Sequence, residues 1–264
     1  MKKMILLVLM LFTALSYAQI GININPPHTS AALDVTSTSA GFLPPRMTAV
    51  QRAAITSPAL GLMVFCTNCA SGEGEIQVYY VSGWKNAAGG DITDPPPVVG
   101  DYYQGGVVFY ILQSGDTGYA TGETHGLIAA VVDQSSGIQW YNGSNITTTA
   151  TGTAIGTGAT NTDAIINVQG VATSYAAGLA RAYDGGEYND WFLPSKDELN
   201  TMYQNKETIN STALANSGSL FKDNWYWSST EVDSENAAST MFSNDTEATG
   251  NKRLSINMRA VRAF

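Results

Sequence analysis

Four oxygen-bearing side chains lie close together in the second half of the sequence. Asp184, Glu187, Asn189 and Asp190 fall within seven residues, on a stretch that two consecutive glycines make flexible. Carboxylate and amide oxygens are the ligands that Ca²⁺ takes, about six to eight at a time. The stretch therefore predicts either a calcium site, the one candidate cofactor of the chain, or a solvated acidic loop.

The only two cysteines of the chain, Cys66 and Cys69, are separated by two residues. In a cytosolic protein this spacing suggests redox chemistry or half of a zinc site. In an oxidising compartment, and without a second pair, a local disulfide is the expected outcome, with metal or redox chemistry and free thiols as the alternatives.

Motifs for catalysis and for nucleotide binding are missing from the sequence. It has no Gly-x-Ser-x-Gly, no phosphate loop and no His-Glu-x-x-His, and neither His28 nor His125 has a Cys or Ser partner evident from the sequence. We therefore expect a protein that is not an enzyme.

The composition favours recognition outside the cell. Charged residues make up only 13% of the 264 residues, and 22 acidic against 13 basic side chains give a net charge of −9. A nucleic-acid binder usually carries a basic face, so nucleic acid is excluded as a partner. The apolar fraction of 44% is enough for a sizeable core.

Residues 1–18 have the pattern of a secretory signal peptide. Lys2 and Lys3 precede an apolar run, and Ser16-Tyr17-Ala18 supplies small residues at the cleavage positions. The run is too short to span a bilayer comfortably, and no later segment is apolar enough to insert. We expect a protein that is secreted or at the outer cell surface, with a net charge of −11 after Lys2 and Lys3 are removed.

Three further segments follow the signal peptide. Residues 19–90 form a small β-rich module, residues 91–99 a Pro-rich linker, and residues 100–264 a larger domain. In the module, Thr48 and Gln51 predict a capping box for a helix over residues 49–55. Strands are expected at residues 62–65 and 76–81.

The larger domain has strands at both ends and helices between them. Ser195 and Glu198 predict a second capping box. An α+β arrangement is expected rather than a parallel βαβ array. The expected elements are strands at 107–111, 127–132 and 138–141, a loop at 143–160, one helix from Thr162 that ends before Gly185, a helix after Ser195, and short strands from Trp225.

Several blocks of the larger domain, taken in order, are similar to one family. The blocks are Tyr103–Tyr110, His125–Ala130, Gly137–Trp140, Asp190–Leu199, Tyr226–Glu231 and Met258–Phe264. The domain resembles the Lcl-type C-terminal domain of the Legionella collagen-like adhesin, of Fibrobacter-type paralogues and of secreted Bacteroidetes proteins. The resemblance implies a C-type-lectin-like fold, with two helices plus short antiparallel strands, and adhesion rather than catalysis.

The resemblance also implies sulfated glycosaminoglycans as ligands, but the charge of residues 100–264 does not favour a polyanion. The domain holds 8 basic against 17 acidic residues, and only Lys252 and Arg253, with Lys222, suggest a small basic patch. A neutral glycan, a cation-bridged glycan or a protein on a surface fits better.

The shared blocks have mainly a structural role. Trp191, Pro194 and Trp227 are expected in the core, and Arg259 and Arg262 are expected on opposite faces of a strand, with one of them as an internal anchor. The segment between the last two blocks is free to recognise a ligand. It resembles the variable region of lectin-fold proteins that retroelements diversify. The expected ligand-binding residues are Glu231, Asp233, Glu235, Asn244, Asp245, Asn251, Lys252 and Arg253.

The small module has a resemblance of its own. The stretches Ile20–Pro27, Ala32–Val35, Gly41–Met47 and Gly61–Phe65 resemble a leader module of secreted Bacteroidetes proteins and neck segments of phage-tail-like fibres. Such necks often trimerise, so residues 19–90 predict a homotrimer, with a monomeric β-module as the alternative.

These observations together predict a secreted adhesin or carbohydrate-binding protein. The alternatives are a structural subunit of an extracellular fibre or matrix, and a phage-fibre-like hypervariable receptor-binding protein.

Overall fold

The computed structural model describes residues 19–92 and 94–264, and its fold is mixed α and β. The predicted signal peptide at residues 1–18 lies outside the described residues. No helix in the described part of the chain is both long enough and apolar enough to cross a membrane.

The N-terminal module contains two small sheets and one short helix. β1 and β2 form a parallel pair, and a second sheet has the order β3-β4-β5-β6. Its elements are β1 (Ile20–Ile22), β2 (Leu33–Val35), β3 (Arg46–Met47), α1 (Ala49–Ala53), β4 (Met63–Cys66), β5 (Glu75–Tyr80) and β6 (Gly83–Asn86).

The predicted capping box begins α1. The Thr48 hydroxyl accepts a hydrogen bond from the Gln51 amide (3.2 Å), and the Gln51 side chain accepts one from the Thr48 amide (2.9 Å). The helix ends two residues earlier than predicted, at Ala53. Both partners of such a box lie in one turn, which is why the sequence alone could locate it.

Little apolar surface is buried in this module. Its hydrophobic cluster consists of Ala49, Cys66 and Cys69, and the two cysteines form the predicted disulfide. The buried Arg52 donates to Gln77 (2.5 Å) and pairs with Asp94 of the linker. A polar network and a disulfide therefore stabilise a module whose own core is small.

Two larger sheets form the rest of the chain. One has the order β15-β9-β8-β7, and the other has the order β10-β14-β11-β12-β13. The strands are β7 (Tyr102–Tyr103), β8 (Gly106–Ile111), β9 (Gly126–Ala130), β10 (Ser135–Ile138), β11 (Trp225–Glu231), β12 (Asn236–Met241), β13 (Thr246–Asn251), β14 (Ile256–Met258) and β15 (Val261–Ala263).

Four α-helices lie between β10 and β11 in sequence, where two were predicted. They are α2 (Gly158–Gln169), α3 (Ala176–Arg181), α4 (Lys196–Gln204) and α5 (Lys206–Ala215). The predicted helix from Thr162 is two helices, because Gly170 has φ 84° and its carbonyl accepts the Tyr175 hydroxyl (2.5 Å) instead of continuing the helix. α2 also begins inside the predicted loop, at Gly158.

The core of the larger domain lies between the sheets and the helices. One cluster is built around Trp140, Trp191 and Trp227, and a second around Phe109, Tyr226 and Phe242. Every one of these six side chains is fully buried. Packing of these side chains fixes the two sheets against the helices.

Candidate ligand-binding surface

The shared sequence blocks lie inside the larger domain. Trp191, Pro194 and Trp227 are all buried. The indole of Trp191 donates to the Gly185 carbonyl (3.1 Å), and the indole of Trp227 donates to the Ile138 carbonyl (2.9 Å). An internal hydrogen bond offsets the cost of desolvating a buried indole N–H, so these residues hold the fold rather than a ligand.

Arg259 is a buried anchor, and it does not lie on a strand as predicted. It sits between β14 and β15, where its guanidinium pairs with Asp133 (2.7 Å) and lies 3.8 Å from the Phe221 ring centroid. The Tyr226 hydroxyl donates to the other oxygen of Asp133 (2.7 Å). Burial, with the negative charge of Asp133, raises the pKa of Tyr226.

Arg262 is a second buried anchor, although the sequence predicted only one. It lies on β15, pairs with Asp190 and donates to the side-chain oxygen of Gln104. Its guanidinium also lies 3.9 Å from the Tyr188 ring centroid. Both arginines are internal because each has a carboxylate partner on a neighbouring loop.

The predicted calcium ligands share the turn that Arg262 holds. Asp184, Glu187, Asn189 and Asp190 are exposed around a short 3₁₀ turn, Gly185–Glu187. The cation next to Asp190 is the Arg262 guanidinium. Within the described residues, no three His, Cys, Asp or Glu side chains are placed to hold a metal ion. A calcium site at this turn stays a prediction.

Two of the predicted ligand-binding residues are in the interior. Glu231, at the end of β11, and Lys252, after β13, form an ion pair whose side chains are 1% and 0% exposed. The Lys252 ammonium also lies 4.5 Å from the Trp140 ring centroid. They therefore do not belong to a ligand-binding surface, and the predicted basic patch around Lys252 does not form.

The buried pair fixes the loop beside it. The Glu231 carboxylate accepts hydrogen bonds from the amides of Thr148 (2.7 and 3.0 Å) and Thr149 (3.0 Å). The Glu231 amide donates to the Ala150 carbonyl (2.7 Å), and the Lys252 ammonium donates to the Ser234 carbonyl (3.2 Å). The ion pair therefore joins the 148–150 loop to the end of β11 and to the segment that follows β13.

Four of the remaining predicted residues come together at one end of β12. Asp233 and Glu235 lie in the β11–β12 turn, and Asn251 and Arg253 follow directly across the ladder, where the Lys252 amide donates to the Glu235 carbonyl (2.8 Å). We call Asp233, Glu235, Asn251 and Arg253 the ligand face; three of them are exposed and Asn251 is half-buried.

The turn of the ligand face is pre-organised by Asp233. Its carboxylate accepts hydrogen bonds from the Asn236 side chain (3.0 Å) and from the amides of Glu235 (2.8 Å) and Asn236 (2.9 Å). The Asn236 side chain, followed by the Glu235 amide, lowers the pKa of Asp233. The carboxylate is therefore ionised at neutral pH and fixed in direction.

Asn244 and Asp245 are not part of this face. They lie in the β12–β13 turn, at the other end of β12. A strand of six residues is about 17 Å long. Asp245 has φ 61°, and partial burial followed by the charge of Glu247 raises its pKa. The predicted ligand-binding residues outside the buried pair therefore lie in two places, at opposite ends of β12.

A buried carboxylate outside the predicted set organises a second loop. Glu198, the second capping-box residue, accepts hydrogen bonds from the amides of Ser195 (2.8 Å), Gly156 (2.8 Å) and Gly158 (3.3 Å). The capping box was predicted from sequence, whereas the two glycine amides come from about 40 residues away. Burial raises the pKa of Glu198 to about 7.

Two family models match the chain. The model described as the Lcl C-terminal domain matches residues 129–262, just over half of the chain. The model described as a phage tail like trimerisation region matches residues 21–97. No curated protein matches the chain.

Proposed function

Because the chain belongs to the Lcl C-terminal domain family, we propose that it is a secreted, non-catalytic adhesin-like protein that binds a carbohydrate. Residues 100–264, here the head, carry the ligand face, and residues 19–90, here the neck, hold several heads together. The proposed fold of the head is C-type-lectin-like, which its mixed helices and sheets support.

The observation that carries this proposal is the contrast between the buried and the exposed members of the predicted set. The Glu231–Lys252 pair is internal, while Asp233, Glu235 and Arg253 beside it are exposed. A rigid base under polar side chains lowers the entropy that ligand binding must overcome. Carboxylate, amide and guanidinium groups together can both donate to and accept from sugar hydroxyls.

The ligand of the proposed face is a neutral glycan rather than a sulfated one. Six of the eight basic side chains of the head form ion pairs within it, which leaves only Lys222 and Arg253. A polyanion needs a concentrated positive patch. A cation-bridged glycan or a protein loop on a surface is the alternative ligand.

The neck is proposed to form a homotrimer. The match to the phage tail like trimerisation region supports this. So does the exposure of apolar side chains in the neck, among them Phe42 (66%), Leu43 (74%) and Val81 (89%). Exposed apolar surface of this extent on a module with a small core marks a contact with other chains.

The same trimerisation match favours a second candidate function. A trimeric neck also suits a structural subunit of an extracellular fibre or matrix, or a phage-fibre-like receptor-binding protein with a variable head. Large assemblies formed by the purified protein without ligand would favour the structural subunit, whereas saturable glycan binding favours the adhesin.

A glycan array with the secreted full-length chain tests the proposed function. The test variant replaces Asp233, Asn251 and Arg253 with alanine, and the matched control replaces Asn244 and Asp245 at the other end of β12. We expect the parent and the control to bind the same neutral glycans and the test variant to lose them. Equal binding by all three proteins would remove the ligand face from the proposal.

A further inference from the structure

A cleft of about 610 Å³ lies between the neck and the head. This volume is typical of small-molecule sites, which span about 300–1,000 Å³. The cleft shares no residue with the ligand face. Its walls come from residues 49–50 and 53–56, 94, 95 and 97, 102–105 and 186–188.

The neck supplies an apolar wall. α1 and the residues after it contribute Val50, Ala53, Ala54 and Ile55, and the linker contributes prolines. These side chains offer no hydrogen-bonding groups, so this wall suits the C–H surface of a ligand. Ala53 is exposed on the helix although it lines the cleft.

The floor of the cleft is a close contact between two backbone turns. Gly105 and Gly186 have φ of 87° and 67°, and a Cβ on Gly105 would come within 2.6 Å of the Gly186 Cα. Only glycine fits this approach. The contact brings the segment of Tyr102 and Tyr103 next to that of Glu187 and Tyr188.

Arg262 holds the head's side of the cleft in place. It donates to the Oε1 of Gln104 and lies over one face of the Tyr188 ring. The Nε2 of Gln104 forms no hydrogen bond with another described residue, so it is left as a donor for a ligand. Arg262 thus holds the side chains of Gln104 and Tyr188 in place. Because Asp190 neutralises its guanidinium, Arg262 adds no net charge to the cleft.

Hydrogen-bonding groups and aromatic surface converge on the same wall. The half-buried Tyr102, Tyr103 and Tyr188 line the cleft, and their hydroxyls form no hydrogen bond with another described residue. The Glu187 carboxylate is exposed and makes no ion pair within the described residues. Aromatic rings beside an amide and a carboxylate form a set that suits the C–H faces and the hydroxyls of a sugar ring.

The charges around the cleft disfavour an anionic ligand. Asp94 is paired with Arg52, and Arg262 with Asp190. An anion would be repelled by the Glu187 carboxylate, which makes no ion pair within the described residues. We propose that the cleft binds a neutral saccharide unit, a second site apart from the ligand face and built by neck and head together.

The test uses the full-length protein and a panel of small probes: the methyl α-glycosides of glucose, galactose and mannose, N-acetylglucosamine, and glucuronic acid as the anionic probe. Binding is followed by saturation-transfer NMR and titration calorimetry. We expect at least one neutral probe to bind with a Kd of about 1 mM and glucuronic acid to bind more weakly.

Ala53→Trp fills the cleft from the apolar wall, and Ala215→Trp on the exposed end of α5 is its matched control. Glu187→Gln removes one charged acceptor without adding bulk. We expect Ala53→Trp to abolish saturation by the neutral probe, Glu187→Gln to weaken it about tenfold, and Ala215→Trp to leave it unchanged. The alanine variant of Asp233, Asn251 and Arg253 should lose the array glycans that the ligand face binds but still bind the monosaccharide probe at about 1 mM. That difference separates this site from the ligand face.

Three results would overturn the proposal: no neutral probe binds, glucuronic acid binds most tightly, or binding survives Ala53→Trp. Circular dichroism and light scattering on each variant show that fold and assembly are unchanged. If Ala53→Trp alters either one, Glu187→Gln decides, because binding that is undiminished in it contradicts the assigned site.

Discussion

The carboxylate of Glu231 and the ammonium of Lys252 form an ion pair in which both side chains are almost completely buried. The pair joins two strand ends that are 21 residues apart in sequence. It also holds the amides of Thr148 and Thr149. Two residues that the sequence predicted to bind a ligand are therefore buried, and they support the exposed ligand face.

Removing one partner of this pair is expected to destabilise the head strongly. Lys252→Met leaves the Glu231 carboxylate buried without its cation, at a cost of about 3 kcal/mol in the free energy of unfolding. The double variant Glu231→Gln/Lys252→Met should regain part of this loss, because no net charge is left buried. Urea unfolding followed by tryptophan fluorescence measures both values.

Arg253→Ala is the control for this prediction. Arg253 is the exposed neighbour of Lys252, so its removal should change the free energy of unfolding by less than about 0.5 kcal/mol. If Lys252→Met unfolds at the same urea concentration as Arg253→Ala, the pair does not support the hairpin.

The stability that Glu198 contributes to the head should decrease as the pH rises towards neutrality. Burial raises the pKa of Glu198 from 4.5 to about 7 in the folded protein, so the folded state binds more protons than the unfolded state between these values. The stability that Glu198 contributes is then fully present below about pH 4.5 and is lost as the pH rises through 7, by up to about 3 kcal/mol.

Glu198→Gln isolates this contribution. Glutamine can still cap α4 but does not titrate. The unfolding free energy of the parent minus that of the variant should therefore fall as the pH rises, because only the parent loses stability as Glu198 ionises. His125, whose pKa is raised by Glu123 and by the Phe264 carbonyl, titrates in both proteins and cancels. A constant difference from pH 4.5 to 7.5 would contradict a raised pKa at Glu198.

Gly158 should not tolerate alanine, although it is the first residue of α2. A Cβ there would lie 2.3 Å from the Oε2 of Glu198 and 2.8 Å from the Ser195 amide. Alanine ordinarily favours a helix over glycine by about 1 kcal/mol, but here the clash should exceed that gain and lower the melting temperature. At Gly41 nothing lies within 4 Å, so Gly41→Ala should leave the melting temperature unchanged. Equal melting temperatures for the two variants would show that Glu198 moves aside without cost.

Local signals in the sequence located elements well. Both capping boxes, at Thr48–Gln51 and Ser195–Glu198, were predicted because all their donors and acceptors lie within one helical turn. The disulfide was predictable for the same reason, since its cysteines are three positions apart. The break at Gly170 was not, because one glycine within an apolar periodicity does not by itself end a helix.

Charged residues could not be placed correctly without the fold. Glu231 and Lys252 look like surface residues in sequence, and only the β11–β12–β13 hairpins bring them together in the interior. The cleft was missed for a similar reason. Its walls come from four separate segments, and only the fold brings them together.

The apolar face of the first two strands leads to a prediction about assembly. Ile20 pairs with Leu33 and Ile22 with Val35 in a parallel ladder, so all four side chains lie on one face, each 41–60% exposed. A two-stranded sheet is only marginally stable by itself. Burial of this face between three chains would supply the missing core. The match of residues 21–97 to a trimerisation region supports an assembly of three chains.

Ile22→Asp and Val35→Asp should therefore break the trimer, because each would bury an unpaired carboxylate at the contact. Multi-angle light scattering is expected to give three times the chain mass for the parent and one chain mass for either variant. Val171→Asp is the control: Val171 is 95% exposed on the head, and its replacement should leave the trimer intact. A parent that is already monomeric removes the trimer, and trimers that persist in both aspartate variants place the contact elsewhere on the neck.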